Sequence, residues 1–270
     1  GGITWWRGNY GSILQAYALA KVMNTFDSVE YEIINQYGPL ASAGGLLSRM
    51  KGKRPKALVS KLVGKYLNKD QRKRVEALER FVNGELPLSD GVYNATTIGD
   101  ANEVYDAFVC GSDQIWNFAF GNPNPMYWLG FADEGKKKIA YAPSIGVSSL
   151  TDAQKNFVFE KLRSFDAVSC REQSGTDLIN SVIGDRCVTV LDPTLLVRSE
   201  SWSKLADESS ASNCRIAHGY VFAYILVGNE DQKRYIEQFA HSKGLSVVCF
   251  PRLEPERADP YDSRFGDLRI

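Results

Sequence analysis

Short apolar runs alternate with segments of helical periodicity along most of this chain. A short apolar or alternating run predicts a strand, and apolar residues three or four positions apart predict a helix. The predicted strands are Gly1–Trp6, Val29–Asn35, Tyr105–Cys110, Lys138–Ala142, Ala167–Cys170 and Cys187–Leu191. The predicted helices are a first one with Ser12 as its N-cap, then Lys69–Asn83, Thr151–Phe165 and Gln173–Ile183. Interleaved strands and helices indicate an α/β fold whose mostly parallel sheet is covered on both faces.

The pattern divides the chain into two α/β segments joined by a polar passage. Residues 1–197 are predicted to form an N-terminal Rossmann-like domain, with a basic helical insertion at about 38–84 and a loop at 85–103. Residues 198–217 are rich in serine and are predicted to be a linker. From residue 218 the pattern gives one βαβ unit (Tyr220–Val227, Glu230–Lys243 and Leu245–Phe250). One such unit is too small for a doubly wound domain, so we expect the second domain, 218–270, to be truncated in this chain.

The amino-acid composition argues against several classes of protein. The 270 residues include 32 basic and 32 acidic side chains, and this zero net charge argues against a generally basic nucleic-acid-binding protein. No run of roughly 18 apolar residues occurs, which excludes a transmembrane helix within the chain. The five cysteines are scattered without a CxxC pair. We therefore expect neither a disulfide framework nor a zinc site, and a reducing cytoplasm is the favoured compartment.

One basic stretch departs from this average charge. Between Lys51 and Arg74 there are ten lysine or arginine residues and one acid, Asp70. The simpler interpretation is the solvated face of helices on an insertion. The alternative interpretation is a surface attracted to phosphate or anionic lipid, which would bring the protein into peripheral contact with a membrane.

Polar side chains follow most of the predicted strands, and ligands bind at the carboxyl ends of strands in open parallel sheets. These polar candidates are Asn9, Tyr10, Gly11, Ser12 and Gln15 after the first strand, and Gly111, Ser112, Asp113, Gln114, Ser144, Arg171 and Asp192 after later ones. Each has a simpler interpretation as a turn residue or helix cap. Together they predict a ligand site at one edge of the sheet.

Asp113, Arg171 and Asp192 are the residues of this set best suited to chemistry. A guanidinium is a bidentate donor for carboxylate or phosphate, and an aspartate in a cleft can act as general acid or base. An Arg–Asp pair that only ties two strand ends together is the structural alternative. The signatures GxGxxG, GxxxxGK[ST], HExxH and GxSxG are absent from the sequence, and we expect neither His218 nor His241 to be catalytic.

Five segments of the sequence follow one another in an order and spacing typical of one family. They are Asn9-Tyr10-Gly11-Ser12-Ile13-Leu14-Gln15-Ala16-Tyr17-Ala18-Leu19, Gly111-Ser112-Asp113-Gln114-Ile115-Trp116-Asn117, Tyr141-Ala142-Pro143-Ser144-Ile145-Gly146, Ser169-Cys170-Arg171-Glu172 and Leu191-Asp192-Pro193-Thr194-Leu195-Leu196. With these segments the chain resembles the polysaccharide pyruvyl transferase family. Five motifs in order are far more specific than any one of them alone.

The resemblance implies two Rossmann-like domains in the GT-B glycosyltransferase arrangement, with the active site in the cleft between them. It implies transfer of a pyruvyl group from phosphoenolpyruvate, as co-substrate and without another cofactor or metal, to a sugar of a surface or capsular polysaccharide or its lipid-linked precursor. The product is a ketal, and the expected location is the cytoplasm, at the inner face of the membrane. The roles implied by motif position are anion binding for Arg171, acid–base chemistry or positioning for Asp192, and acceptor binding for Asn9, Tyr10 and Gln15, with Ser112 and Asp113 close by.

Two alternatives to a pyruvyl transferase stay open. The family carries a Ser-Phe-His-Gly-Thr-like motif late in its second domain, and this sequence does not contain one. That difference favours a non-catalytic glycan-binding or partner-binding relative without the donor half of the site. A glycosyltransferase that uses a nucleotide-sugar is the other alternative.

Overall fold

The computed structural model describes residues 1–7, 9–36, 69–121, 123–207, 219–225 and 229–249. Most of the predicted basic insertion and His218 lie outside these residues. The chain groups into two compact units, one of residues 1–59 and 78–197 and the other of residues 60–77 and 198–270. The first unit carries every residue predicted for the ligand site.

Seven parallel strands form the sheet of the first unit, in the order β3-β2-β1-β4-β5-β6-β7. The strands are β1 Gly2–Ile3, β2 Ile33–Gln36, β3 Leu88–Tyr93, β4 Ala107–Cys110, β5 Lys137–Ala140, β6 Ala167–Cys170 and β7 Cys187–Thr189. The winding direction reverses between β1 and β4, which is the topological switch point of a doubly wound fold. The predicted α/β class with a parallel, Rossmann-like sheet is confirmed. The GT-B arrangement and the predicted domain boundaries stay predictions.

Except for α5, the helices lie close to the positions that the periodicity predicts. They are α1 Tyr10–Met23, α2 Lys69–Glu85, α3 Asp152–Leu162, α4 Gln173–Ile183, α5 Ser199–Asp207 and α6 Glu230–Ser242. Thr151 caps α3 in a capping box with Gln154, which explains why this helix begins where it does. Helix α5 occupies the first part of the segment predicted as a linker.

The prediction of a loop over residues 85–103 is wrong. This segment contains β3 and a 3-10 helix at Ile98–Glu103. Among the residues that the structure describes, strand β3 pairs with β2 alone and lies at the edge of the sheet, and Ser89 is the one buried residue of this strand. An edge strand with exposed polar residues and a glycine shows no apolar alternation, so backbone pairing rather than side-chain pattern defines it.

The second unit contains the predicted βαβ arrangement. Strands β8 (Tyr220–Ala223) and β9 (Ser246–Cys249) pair in parallel, with Tyr220 opposite Ser246. Helix α6 joins them, and Asn229 caps it in a capping box with Gln232.

An aromatic cluster fixes the segment between β4 and β5. The indole rings of Trp116 and Trp128 stack with centroids 4.5 Å apart, and Phe157 meets Trp128 edge-on. The indole N–H of Trp116 donates to the carbonyl of Tyr127 at 2.9 Å. Both tryptophans are almost fully buried, so the turn that follows β4 rests on a rigid apolar base.

Candidate functional site

The register of the sheet brings the carboxyl ends of its strands to one edge. Ile3 of β1 pairs with Cys110 of β4, which pairs in turn with Ala140 of β5. Cys170 of β6 pairs with Thr189 of β7. The turns that leave these strands therefore lie side by side, and they carry the polar residues predicted for the ligand site.

The first turn of α1 contacts the turn after β4 at the switch point. Asn9 caps α1, because its side chain accepts a hydrogen bond from the backbone N–H of Ser12 at 2.8 Å. The prediction of Ser12 as the N-cap is therefore wrong: the helix begins earlier, at Tyr10. The Ser12 hydroxyl instead donates a 2.5 Å hydrogen bond to Oδ2 of Asp113. Such a short bond to a carboxylate is charge-assisted, and it orients Asp113.

Unusual backbone angles present Asp113 at the edge of the sheet. Asp113 has a φ of 78° and Gly111 a φ of 112°. A side chain at Gly111 would collide with the carbonyl oxygen of Tyr141, so only glycine fits there. Oδ1 of Asp113 accepts the backbone N–H of Gln114 at 2.8 Å. A half-buried carboxylate held at both oxygens in a strained turn is typical of functional sites.

Buried side chains anchor the loop between β1 and α1. The amide nitrogen of Gln15 donates to the carbonyls of Trp5 at 2.9 Å and Ser12 at 2.7 Å. The Thr4 hydroxyl donates to the carbonyl of Ser112 at 2.9 Å. Gln15 and Thr4 are both almost fully buried. These contacts favour a role for Gln15 in shaping the site.

A second polar cluster joins the ends of β6 and β7. Arg171 Nη1 donates to Asp192 Oδ2 at 2.8 Å, and Thr194 donates to Asp192 Oδ1 through its backbone N–H at 3.0 Å and its hydroxyl at 2.6 Å. The Ser112 hydroxyl lies 3.4 Å from Asp192 Oδ2, which connects this cluster to the turn after β4. Burial raises the pKa of Asp192, but the hydrogen bonds from Thr194 and Arg171 outweigh burial and hold that pKa below its usual range.

Ser144 is buried and engaged with Glu172. Its hydroxyl donates to Glu172 Oε1 at 2.9 Å, and the backbone N–H of Ile145 donates to the same oxygen at 3.1 Å. The turn after β5 is thereby tied to the start of α4. This arrangement stabilises the edge of the sheet next to Arg171.

The predicted residues fall into two groups by exposure. Those that are exposed or half-buried are Asn9, Tyr10, Gly11, Asp113, Gln114, Arg171 and Asp192. Those that are buried are Gln15, Gly111, Ser112 and Ser144. The first group can reach a ligand directly, and the second shapes the turns that carry the first. Their individual roles stay predictions.

The sequence patterns did not identify three polar residues that lie near the switch point. Gln36 is the last residue of β2, so its position directly at a strand end could have signalled it. Thr4 likewise directly follows β1. Tyr127 lies in a 3-10 helix, Pro125–Trp128, which is far along the sequence from both Thr4 and Gln36. The sequence around Tyr127 contains no motif that would have indicated a site residue.

The buried thiols are poor nucleophiles. Burial raises the pKa of Cys170 to about 12 and that of Cys187 to about 11. Both groups are protonated thiols at neutral pH. In the part of the chain that the structure describes, no cluster of histidine, cysteine and acidic residues has an arrangement suited to a metal ion.

Comparison with known protein families assigns the chain to one of them. A doubly wound sheet with polar turns at its switch point is the arrangement in which α/β proteins generally bind their ligands. The family model described as polysaccharide pyruvyl transferase matches residues 9–265, and the chain belongs to this family. No curated protein and no solved structure gives a match. None of the described helices has the length and apolar character needed to cross a membrane.

Proposed function

We propose that this protein transfers a pyruvyl group from phosphoenolpyruvate to a sugar of a surface or capsular polysaccharide, or of its lipid-linked precursor. The observation that supports this proposal most is that the family match and the position of the family-like motifs in the fold agree. The family match covers nearly the whole chain, and the residues of the family-like motifs that we expect to carry the chemistry, Asp113, Arg171 and Asp192, follow strands β4, β6 and β7 at one edge of the sheet. The reaction would take place in the cytoplasm, on acceptors presented at the inner face of the membrane.

The proposed reaction consumes two hydroxyl groups of one sugar. Both oxygens form bonds to the central carbon of the enolpyruvyl group, and the bond from that carbon to the phosphate oxygen breaks. One hydroxyl proton ends on the methylene carbon, which becomes a methyl group, and the other leaves with phosphate or solvent. The site therefore needs a base for the hydroxyls and donors for the carboxylate and phosphate of the donor substrate.

Asp113 is our choice for the base. Its carboxylate is half-buried, and the hydrogen bonds from Ser12 and the backbone of Gln114 hold its orientation. A base must lie within hydrogen-bond reach of the proton that it removes, so fixed orientation is the property that matters first.

Arg171 is our choice for the donor anion. The hydrogen bond from Nη1 to Asp192 uses one of five N–H donors of the guanidinium, and its side chain is 29% exposed. Asp192 holds that guanidinium in place. Because its pKa is lowered, Asp192 is a carboxylate at neutral pH, which supports positioning over a role as general acid.

The experiment is release of phosphate from phosphoenolpyruvate in the presence of a panel of glycan acceptors, with the ketal methyl group detected by NMR. Loss of a general base slows such reactions by about 10²- to 10⁴-fold, and we expect this for Asp113→Asn. The matched control is Asp166→Asn, which removes the partner of Lys137 in an exposed ion pair, and we expect it to be active.

Three results would count against the proposal. Asp113→Asn with unchanged activity would place the base elsewhere. Glycan binding by folded protein without phosphate release would favour a non-catalytic relative. A rise in thermal stability with nucleotides, but not with phosphoenolpyruvate, would favour a glycosyltransferase.

A further inference from the structure

Tyr141 directly follows strand β5 and contacts the segment that leaves β7. Its backbone N–H donates to the carbonyl of Cys110 at 2.9 Å, which continues the pairing of β5 with β4. Its phenol hydroxyl donates to the carbonyl of Leu191 at 3.0 Å. Strand β6 lies between β5 and β7, so this side chain links the ends of two strands that are not neighbours in the sheet.

The backbone that this hydroxyl holds is the one that carries Asp192. The N–H of Val190 still donates to the carbonyl of Cys170 at 3.0 Å, and the chain leaves the sheet after it. The side chain of Leu191 is 57% exposed, so its burial does little to hold the segment. Asp192 follows directly, and its carboxylate accepts the 2.8 Å hydrogen bond from Arg171.

The phenol of Tyr141 is suited to this contact. Partial burial raises its pKa, and the negative charge of Asp192 raises it further. The hydroxyl therefore keeps its proton at neutral pH and donates it to the Leu191 carbonyl, which can only accept. The influence of Asp192 on the phenol agrees with the closeness of the two groups.

A fixed guanidinium binds an anion better than a mobile one, because less side-chain entropy is lost on binding. Arg171 and Asp192 are both partly exposed, so their geometry depends on the groups that support them. The hydroxyl of Tyr141 supports Asp192 through the backbone, and Asp192 supports Arg171. Tyr141 can thus act on the anion site without touching the anion.

We propose that Tyr141 is a positioning residue, which holds the backbone of Leu191 and Asp192 so that Asp192 presents Arg171 to an anionic group of the substrate. This inference rests on the proposed function for the identity of that substrate, phosphoenolpyruvate. The contact acts on affinity for the donor substrate and leaves the interactions of Asp113 unchanged.

The first test measures binding of phosphoenolpyruvate to the whole chain by calorimetry, without an acceptor. Tyr141→Phe removes the hydroxyl and keeps the ring. We expect it to weaken binding by about 3- to 10-fold, the usual loss for one hydrogen bond. During turnover the KM for phosphoenolpyruvate should rise by the same factor, and kcat should stay near that of the wild type.

Tyr105→Phe is the matched control. The hydroxyl of Tyr105 donates to Glu32 at 2.9 Å, and both residues precede their strands, at the opposite edge of the sheet. We expect this variant to keep the wild-type affinity for phosphoenolpyruvate. In a protein that carries Asp192→Asn, Tyr141→Phe should cause a smaller loss of affinity than in the wild type, because Tyr141 acts through Asp192.

The second test needs no substrate. It follows the NMR signals of the Arg171 guanidinium, which the spectrum of Arg171→Lys assigns. A charge-assisted hydrogen bond to a carboxylate restrains rotation of the guanidinium group. We expect that rotation to be faster in Tyr141→Phe than in the wild type, and unchanged in Tyr105→Phe.

The outcomes separate this inference from the proposed function. Arg171 signals that are the same in Tyr141→Phe and the wild type overturn the positioning role. Equal losses of phosphoenolpyruvate affinity in Tyr141→Phe and Tyr105→Phe overturn it as well, because a general loss of stability then explains both. Faster rotation of Arg171 in Tyr141→Phe, with a wild type that binds no phosphoenolpyruvate, supports the positioning role and rejects the proposed donor substrate.

Discussion

At the scale of single residues, Asp192 shows how hydrogen bonds decide the charge of a site. Its side chain is 19% exposed, and burial alone would favour the neutral acid. Thr194 and Arg171 together supply three hydrogen bonds to its two oxygens. These bonds outweigh burial, so the carboxylate persists at neutral pH and orients Arg171.

This lowered pKa predicts a pH-dependent contribution to stability. The folded protein binds a proton at Asp192 less readily than the unfolded chain, so the ionised group stabilises the fold above the ordinary aspartate pKa of about 3.9. That contribution is lost as the pH falls through the lowered pKa. We expect Asp192→Asn to lower the free energy of unfolding by about 1 kcal/mol at pH 7, because charge-assisted bonds become neutral ones.

Urea unfolding of the wild type and of Asp192→Asn at pH 7 and at pH 3 measures the difference between their free energies of unfolding. The gap between wild type and Asp192→Asn should be constant from roughly pH 5 to pH 8 and should shrink below about pH 4. A gap of the same size at pH 3 would show that the carboxylate charge contributes nothing.

Gly111 gives a second prediction at this scale. It has a positive φ, and an added Cβ would collide with the carbonyl oxygen of Tyr141. Gly135 has a φ of 88° but open space around the added atom. We expect Gly135→Ala to lower stability by about 1 kcal/mol through strain alone, and Gly111→Ala to lower it by about 3 kcal/mol or more. Thermal unfolding compares the two, and equal losses would mean that the turn after β4 adjusts freely.

At the scale of elements, the sequence predicts best where burial follows a simple period. Helix α4 and strand β6 have the predicted bounds, because each has a clear buried side or run. Strand β3 was missed because only Ser89 is buried in it. The predicted start of α1 was also wrong, because Asn9 and Ser12 are both suitable N-cap residues by type. Only the folded structure shows that Asn9 caps the helix and that the Ser12 hydroxyl donates to Asp113.

The N-cap residue of α1, Asn9, leads to a testable prediction about the stability of the protein. Loss of an N-cap side chain costs a helix about 1 kcal/mol, and aspartate caps as well as asparagine does. We expect Asn9→Ala to lower the free energy of unfolding by that amount and Asn9→Asp to keep it, because a negative charge is also favoured at a helix N-terminus. Denaturant titration distinguishes the two variants, and equal stability of Asn9→Ala and wild type would show that the cap is dispensable.

At the scale of the whole molecule, the order of the strands explains why distant motifs meet. The reversal of winding at β1 and β4 places residues of the first turn of α1 beside residues a hundred positions later. Strand-end positions were therefore predictable from the rule for parallel sheets. The pairing of Gln36 with Thr4 and the neighbourhood of Tyr127 were not, because they depend on strand order and on the packing of a long connection.

The uneven distribution of basic residues along the chain leads to a prediction about membrane binding. The chain has no net charge, yet ten basic residues and one acid lie between Lys51 and Arg74. A basic residue near an anionic membrane surface contributes about 1 kcal/mol, so replacing Lys51, Lys53 and Arg54 by glutamate should weaken binding to phosphatidylserine vesicles by roughly 10²-fold or more. Vesicle co-sedimentation measures this, and added salt should weaken wild-type binding through screening.

A control with the same net charge separates a local basic surface from the average charge of the protein. Replacing Lys155, Arg163 and Arg234 by glutamate makes the same change in net charge at exposed positions of α3, its C-terminal end and α6. We expect this control to retain most of its vesicle binding. Equal loss in both variants would assign binding to net charge, and equal binding to vesicles of neutral phosphatidylcholine would remove the electrostatic explanation.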